Sequence, residues 1–181
     1  MNDLDTRCLE AFPGWLSTLG EDARALAELV ESETGTEGAR RQLVQALNYL
    51  FKSLDLIPDG IEDLGFVDDA FVFRTATAEA AKLDQELAGS DATVKRLTED
   101  AALIREFLAD DAPRLETHVA GLGSSSARGR TADDVLGDAE VRATFVREVK
   151  SWADAYQAPT FTRDPKTLVK LRSFLTAKLP K

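Results

Sequence analysis

The chain has one cysteine, one histidine and no long apolar run, and each scarcity excludes a class of protein. Cys8 by itself cannot form an intramolecular disulfide, which fits a reducing, cytoplasmic setting, and we expect it to be a buried thiol. With His118 as the single histidine, zinc chemistry has too few ligands. No segment approaches the roughly 18 apolar residues of a membrane-spanning helix. The acidic start MNDLDTRCLE also lacks the apolar core of a signal peptide.

Basic residues are scarce over most of the chain. Residues 1–140 carry 13 Lys and Arg against 29 Asp and Glu, whereas residues 141–181 carry 9 against 3. The acidic body would repel phosphates, so we predict no nucleic-acid partner. The basic end suits three surfaces: the chain's own acidic body, an acidic protein partner and an anionic membrane. We favour its own body.

Helical periodicity decides the fold class. Apolar residues recur at spacings of three and four, the pattern of an amphipathic helix that buries one face. Four such stripes are Leu16-Leu19-Ala23-Leu26-Val30, Phe73-Ala76-Ala80-Leu83-Leu87, Val94-Leu97-Ala101-Ile104-Leu108 and Val141-Phe145-Val149-Trp152-Tyr156. We find no comparable alternation of period two. The chain is therefore predicted to be all-α, a single bundle of about six to eight helices.

Glycine, proline and short polar residues mark the helix boundaries. Gly20, followed by two acidic residues, predicts the end of one helix and the start of another. Gly89-Ser90-Asp91 predicts a helix end and a cap, hence an antiparallel hairpin, although the unbroken stripe also suits one long bent helix. The predicted N-caps are Thr36, Asp91, Thr131 and Asp164, the last followed by Pro165.

The same signals divide the chain into a main helical domain (1–120), a loop (121–130) and C-terminal helices (131–181) that we expect to pack on the same domain. The loop, GLGSSSARGR, lacks the spacing of a phosphate-binding loop and is predicted to be flexible. The last helix, from Asp164, is basic and amphipathic. Such a helix suits peripheral membrane contact as well as the end of a bundle, and we favour the bundle.

One stretch is both apolar and acidic. Between Asp55 and Asp69 it holds six acidic residues and no basic one. Pro58 predicts that the preceding helix ends or kinks near Asp55, followed by a tight turn that Gly65 permits. Asp55 and Asp59 are then expected to cap new helical turns, and Asp68 and Asp69 to lie in the first turn of the next helix. The residues expected to anchor the turn in the core are Leu54, Leu56, Ile57, Ile61, Leu64, Phe66 and Val67.

This stretch resembles the signature of the YkvA-like family, a bacterial helical domain of unknown function. The matching elements are Asp55-Leu56-Ile57-Pro58-Asp59, then Gly65, then Phe66-Val67-Asp68-Asp69, within residues 43–77. Ser53 stands where family members often have proline. The resemblance implies a helical fold with Pro58 and Gly65 as structural motif residues, and it supplies no established activity.

The four aspartates of the motif, Asp55, Asp59, Asp68 and Asp69, are also candidate metal ligands. Two carboxylate pairs brought together by a hairpin suit Mg²⁺ or Ca²⁺, which prefer oxygen ligands. A metal-dependent hydrolase is a weaker alternative, because the nearest basic residues, Lys52 and Arg74, lie outside the acidic stretch. We predict no catalytic residue, since His118 and the serines of the loop lack a nucleophile motif.

The sequence thus leaves two functions open. We prefer a non-enzymatic interaction or scaffold domain, without a cofactor, that presents an acidic surface to another protein. The alternative is a metal-binding module or hydrolase. An ion site needs at least three of the four carboxylates to converge on one point.

Overall fold

A computed structural model describes residues 1–52 and 55–181, and this part of the chain is all-α, as predicted. Seven of its helices have ten or more residues and two have six. The helices are α1 (Asp3–Glu31), α2 (Glu37–Tyr49), α3 (Val67–Leu83), α4 (Gln85–Ser90), α5 (Ala92–Leu108), α6 (Ala112–Gly121), α7 (Ala132–Gly137), α8 (Ala139–Ala155) and α9 (Pro165–Lys178). Short 3-10 turns follow α5 and α6, at Ala109–Asp111 and Leu122–Ser124.

Helix α3 lies at the centre of the bundle. It packs against α2 and α5 along its length and also contacts α1 and α6. Fourteen of its seventeen residues are buried, so nearly every face of this helix meets other helices. The polar side chains of Asp68, Asp69 and Arg74 are therefore carried into the core, where each needs a partner.

The helix boundary predicted at Gly20 is wrong. Helix α1 continues through it, and a Cβ at this position would lie 3.2 Å from the carbonyl oxygen of Ala153 and 3.3 Å from the ring of Tyr156. The glycine therefore allows α8 to approach α1 closely. Asp22, predicted to begin a new helix, is instead buried and accepts hydrogen bonds from Thr18 and Arg96.

The four predicted N-caps are confirmed, because each side chain accepts a hydrogen bond from an N–H of the first helical turn. They are Thr36 for α2, Asp91 for α5, Thr131 for α7 and Asp164 for α9. Three caps were missed: Asn2 begins α1, Asp84 begins α4, and Asp138 begins α8. Helix α3 ends before Asp84, and α3 packs against α5. The hairpin prediction is therefore right and the single long helix is wrong.

The segment 121–130 contacts its neighbours through backbone and side chains. Leu122 and Ala127 are buried, and the amide of Asn48 donates to the carbonyl oxygen of Arg130 at 3.1 Å. The guanidinium of Arg130 pairs with Glu148 on α8. The flexibility of this segment and the division of the chain at it remain predictions.

Helices α8 and α9 pack on α1. Helix α9 buries Leu168, Leu171 and Leu175 in the same hydrophobic cluster as the N-terminal helices. On α8, Lys150 pairs with Glu31 at 2.8 Å, so part of the basic end does contact the acidic body. Among the helices of residues 1–52 and 55–181, none has the combination of length and apolar character that crossing a membrane requires.

Candidate metal centre

The motif between α2 and α3 forms an irregular turn held by apolar side chains. Helix α2 ends at Tyr49, earlier than the end near Asp55 that Pro58 predicts. The predicted anchors Leu56, Ile57, Leu64 and Val67 are buried, and Ile61 and Phe66 are partly buried. Two residues discussed above, Ser53 and Leu54, lie outside the described residues.

Gly65 brings the beginning of this turn against its end. A Cβ at this position would lie 2.3 Å from the carbonyl oxygen of Asp59, which is closer than any side chain can approach. The N–H of Gly65 donates to the carbonyl oxygen of Ile61 at 3.0 Å and closes the turn. Only glycine fits here, and its contact holds Asp59 beside the first turn of α3.

Two residues of the turn, Asp63 and Phe66, have left-handed backbone conformations, with φ of 66° and 62°. Such angles are uncommon without glycine and persist only where surrounding contacts stabilise them. The carboxylate of Asp63 accepts hydrogen bonds from the N–H and hydroxyl of Thr162, at 3.0 and 2.7 Å. The ring of Phe66 packs edge-on against Trp152 and Tyr156. The end of α8 and the segment after it thus hold the strained turn.

Three of the four predicted aspartates converge. One carboxylate oxygen from each of Asp59, Asp68 and Asp69 lies within 4.8 Å of the other two. Asp68 and Asp69 are 0% and 3% exposed, whereas Asp59 is exposed and connects the cluster to solvent. Asp55 is not a member of this group, although its charge contributes to raising the pKa of Asp69. We call Asp59, Asp68 and Asp69 the carboxylate cluster.

The two oxygens of Asp68 differ in their surroundings. Oδ2 accepts hydrogen bonds from the Tyr49 hydroxyl at 2.7 Å and from the N–H of Ile57 at 3.1 Å. Oδ1 is buried and has no hydrogen-bond partner in the described part of the chain. Asp68 therefore binds the preceding turn through one oxygen and leaves the other for a further ligand.

Capping does not account for these contacts. Asp68 and Asp69 lie in the first turn of α3, as predicted, but Phe66 occupies the N-cap position and its side chain makes no capping hydrogen bond. Within the described residues, Oδ2 of Asp69 and Oδ1 of Asp55 are buried without a partner. An oxygen that is removed from water without a hydrogen bond is costly, so a further partner such as a proton or a cation would stabilise these atoms.

The pKa values of all four aspartates are raised. Burial, followed by repulsion from Asp68 and Asp59, raises the pKa of Asp55 to about 7. Burial raises the pKa of Asp68 to about 6, although the hydrogen bonds from Tyr49 and Ile57 act in the opposite direction. Loss of surrounding water raises the pKa of Asp59. The pKa of Asp69 is raised well above its ordinary value, by burial and then by the other three carboxylates.

This arrangement suits a hard divalent cation. Mg²⁺ and Ca²⁺ take carboxylate oxygens at about 2.0–2.6 Å, so two oxygens on opposite sides of one ion lie roughly 4–5 Å apart. The mutual separations in the carboxylate cluster fall within that limit. A cation would replace the protons that the raised pKa values otherwise favour.

Three aromatic residues beside the cluster were not predicted as part of a site: Tyr49, Phe66 and Tyr156. The ring of Tyr156 packs on that of Phe66 at 5.3 Å between centroids, and burial, followed by the charges of Asp69 and Asp59, raises the pKa of its hydroxyl. Its hydroxyl donates to the carbonyl oxygen of Leu16 at 2.7 Å. In the sequence, Tyr156 belongs to an apolar stripe and Phe66 to the apolar residues expected to anchor the turn. No local pattern links either of them, or Tyr49, to the aspartates.

The basic residue Arg74 has other partners. It is fully buried, donates to Asp100 at 3.0 Å, lies 3.8 Å from Asp22 and stacks over the ring of Trp15. It therefore connects α3 to α1 and α5. Lys52 is close enough to Asp55 for its charge to oppose the rise in the pKa of that carboxyl.

Neither the cysteine nor the histidine joins the cluster. Cys8 is fully buried, as predicted, and burial raises the pKa of its thiol to about 11. His118 is partly buried on α6, with its ring edge-on to Tyr49 at 6.0 Å between centroids.

Residues 40–73 match the model of a family described as a protein of unknown function (DUF1232). The match includes most of α2, the motif turn and the beginning of α3, and so contains all four aspartates. No curated protein and no solved structure matches the chain. Similarity therefore indicates an uncharacterised domain family over this segment, whose function is unknown.

Proposed function

We propose that the chain is a non-enzymatic helical domain that binds one hard divalent cation, Mg²⁺ or Ca²⁺, through Asp59, Asp68 and Asp69. The observation that carries this proposal is the convergence of three carboxylates. Two of them are buried, and each retains an oxygen that has no hydrogen-bond partner in the described part of the chain. A buried carboxylate without a counter-charge is unfavourable. A cation between the three would offset the repulsion that raises their pKa values.

The ion would connect the exposed part of the turn to the core. Asp59 lies on the exposed segment after Pro58, whereas Asp68 and Asp69 belong to the buried central helix. Coordination by all three would fix the turn in one conformation and neutralise part of its charge. The rigid turn, with the acidic residues Glu62 and Asp63 on it, is then the surface that we propose for contact with another protein.

Binding is better supported than hydrolysis. Among the described residues, the hydrogen-bond donors to Asp68 are a tyrosine hydroxyl and a backbone N–H. The guanidinium of Arg74 is engaged with Asp22, Asp100 and Trp15 and so does not supply the cationic clamp that phosphoryl transfer uses. The aromatic rings of Phe66 and Tyr156 are better suited to holding the turn than to activating a substrate.

The family match supports a finer assignment. Because it spans residues 40–73 and the YkvA-like signature was recognised within 43–77, we propose that both describe the same domain. A cytoplasmic location remains part of this proposal, since it rests on the lone cysteine. Peripheral membrane contact through α9 is the less favoured alternative, because three leucines of that helix lie in the core.

Thermal unfolding with Mg²⁺ or Ca²⁺ tests the proposed site. For the wild type we expect a saturable rise in melting temperature, since a cation at 100 times its Kd adds about 2.7 kcal/mol, or about 5–11 °C for a chain of this size. Asp69→Asn should abolish the rise. Asp110→Asn is the matched control, because it removes the same charge from an exposed residue between α5 and α6.

The cation-free proteins provide a second readout. Asp69→Asn should raise the melting temperature above that of the wild type, because a neutral amide relieves the repulsion within the cluster. Sodium chloride at equal ionic strength controls for general screening of the net charge of −10. A wild type that responds to divalent cations no more than to sodium would overturn the proposal.

A further inference from the structure

We infer that Tyr49 positions Asp68 for cation binding and thereby sets the affinity of the carboxylate cluster. This inference rests on the proposed function, since it concerns the same site. Tyr49 is the last residue of α2 and is 1% exposed. Its hydroxyl donates to Oδ2 of Asp68 at 2.7 Å and accepts a hydrogen bond from the N–H of Leu56 at 2.8 Å. One buried hydroxyl thus connects the end of α2, the beginning of the motif turn and the first turn of α3.

The hydrogen bonds of Tyr49 restrict the carboxylate of Asp68. Together with the N–H of Ile57, at 3.1 Å, the hydroxyl gives Oδ2 two donors in different directions. These donors hold the plane of the carboxylate and leave Oδ1 without a partner among residues 1–52 and 55–181. Partners of this kind, which orient a ligand without touching the metal, typically change metal affinity by about 10- to 100-fold.

The hydroxyl acts as a permanent donor. The hydroxyl oxygen already accepts the hydrogen bond from the N–H of Leu56, and its own O–H donates to Asp68. Without this bond the carboxylate would lose more rotational freedom on binding an ion, and affinity would fall.

The second tyrosine of the chain provides a matched control. Tyr156 also lies near the cluster, because its ring packs on that of Phe66, two residues before Asp68, at 5.3 Å between centroids. Its hydroxyl, however, donates to the carbonyl oxygen of Leu16. Tyr156→Phe therefore removes the same atom from the same neighbourhood without removing a hydrogen bond to a carboxylate.

Calorimetric titration of Ca²⁺, and separately of Mg²⁺, into the two variants and the wild type tests the inference. We expect Tyr49→Phe to raise the Kd by about 10- to 100-fold and Tyr156→Phe to change it by less than about 3-fold. A purely structural role of Tyr49 would lower the melting temperature without cation and leave the Kd of the folded protein unchanged.

A second measurement does not require Tyr49→Phe to fold. In the Tyr156→Phe protein, Tyr49 is the one remaining tyrosine of the chain, so selective ¹³C labelling of the tyrosine ring reports on it alone by NMR. Saturation with Ca²⁺ should shift this signal, because the ion withdraws electron density from the Asp68 carboxylate that accepts its hydrogen bond.

The outcomes separate the two proposals. If the wild type binds cation while Tyr49→Phe binds equally tightly, or if the labelled Tyr49 signal is unchanged at saturation, the positioning role is overturned and the metal site stands. If the wild type binds neither cation, both are overturned.

Discussion

Stabilisation by a divalent cation should increase with pH, because protons and the cation compete for the same carboxylates. The pKa of Asp68 is raised from 3.8 to about 6 and that of Asp55 to about 7, and that of Asp69 is also raised. A carboxyl whose pKa is raised by folding stabilises the fold in its protonated form. This contribution is complete below the ordinary pKa and is lost as the pH rises through the raised value. Without cation, the cluster should therefore destabilise the fold progressively from about pH 4 to about pH 8.

The size of this loss of stability can be worked out for Asp68, because its side chain is fully buried. The difference between the ordinary pKa of 3.8 and the raised pKa of about 6 corresponds to about 3 kcal/mol of stability that is lost at alkaline pH. For a chain of this length, 1 kcal/mol changes the melting temperature by about 2–4 °C. Because most of this loss falls between about pH 4 and about pH 8, titration of Asp68 alone should lower the melting temperature of the cation-free protein by about 5–10 °C across that window.

Other groups titrate as well. Their effects on stability differ from that of the cluster either in sign or in the pH range where they occur. Burial lowers the pKa of His118, which makes the fold more stable as the pH rises through the same window. Five exposed or partly exposed carboxyls with lowered pKa values lose their contribution only at acid pH. They are Asp84, Glu106, Asp111, Asp134 and Glu148. The difference between melting temperatures with and without cation removes all of these effects.

The assay is differential scanning calorimetry with Ca²⁺ or with a chelator, at several values between about pH 4 and about pH 8. We expect the difference to be near zero at the acid end, where protons occupy the cluster, and largest at the alkaline end. In Asp68→Asn the increase of this difference with pH should largely disappear. A cation effect of equal size at both ends of the range would refute the reasoning.

Two further predictions concern the turn and the last helix. Gly65→Ala should destabilise the protein by at least about 1–3 kcal/mol and abolish the cation effect, because the added Cβ displaces the backbone of Asp59. Gly60→Ala, which meets no atom within 4 Å, is the control in denaturant unfolding, and equal stability of the two variants would contradict the role of Gly65. Leu171→Ala on α9 should cost about 2–5 kcal/mol and increase binding of an apolar dye, whereas the 63% exposed Val169 should tolerate alanine. An unchanged melting temperature for Leu171→Ala would show that α9 is not docked on the body.

The sequence by itself determined the features that depend on neighbours a few residues away. Stripes with spacings of three and four predicted the all-α class, because one helical turn brings such residues onto one face. The caps Thr36, Asp91, Thr131 and Asp164 were also predictable, since each bonds to an N–H two or three residues ahead. The motif placed Asp68 and Asp69 at the start of a helix for the same local reason.

Gly20 shows where local patterns fail. A glycine followed by acidic residues has the composition of a helix boundary, yet the same glycine serves within α1 as the place where α8 packs closely. The two roles differ only in which residues pack against the glycine. That partner is on α8, far along the chain, and nothing near Gly20 identifies it.

Only the tertiary structure decided that Asp59 meets Asp68 and Asp69. The meeting depends on the contact of Gly65 with the backbone of Asp59 and on strained conformations at Asp63 and Phe66. Residues from α8 and the segment after it stabilise those conformations, through Trp152, Tyr156 and Thr162. Positive φ angles at residues other than glycine are unfavourable locally, so a sequence pattern does not predict them. The carboxylate cluster forms because long-range packing offsets that local strain.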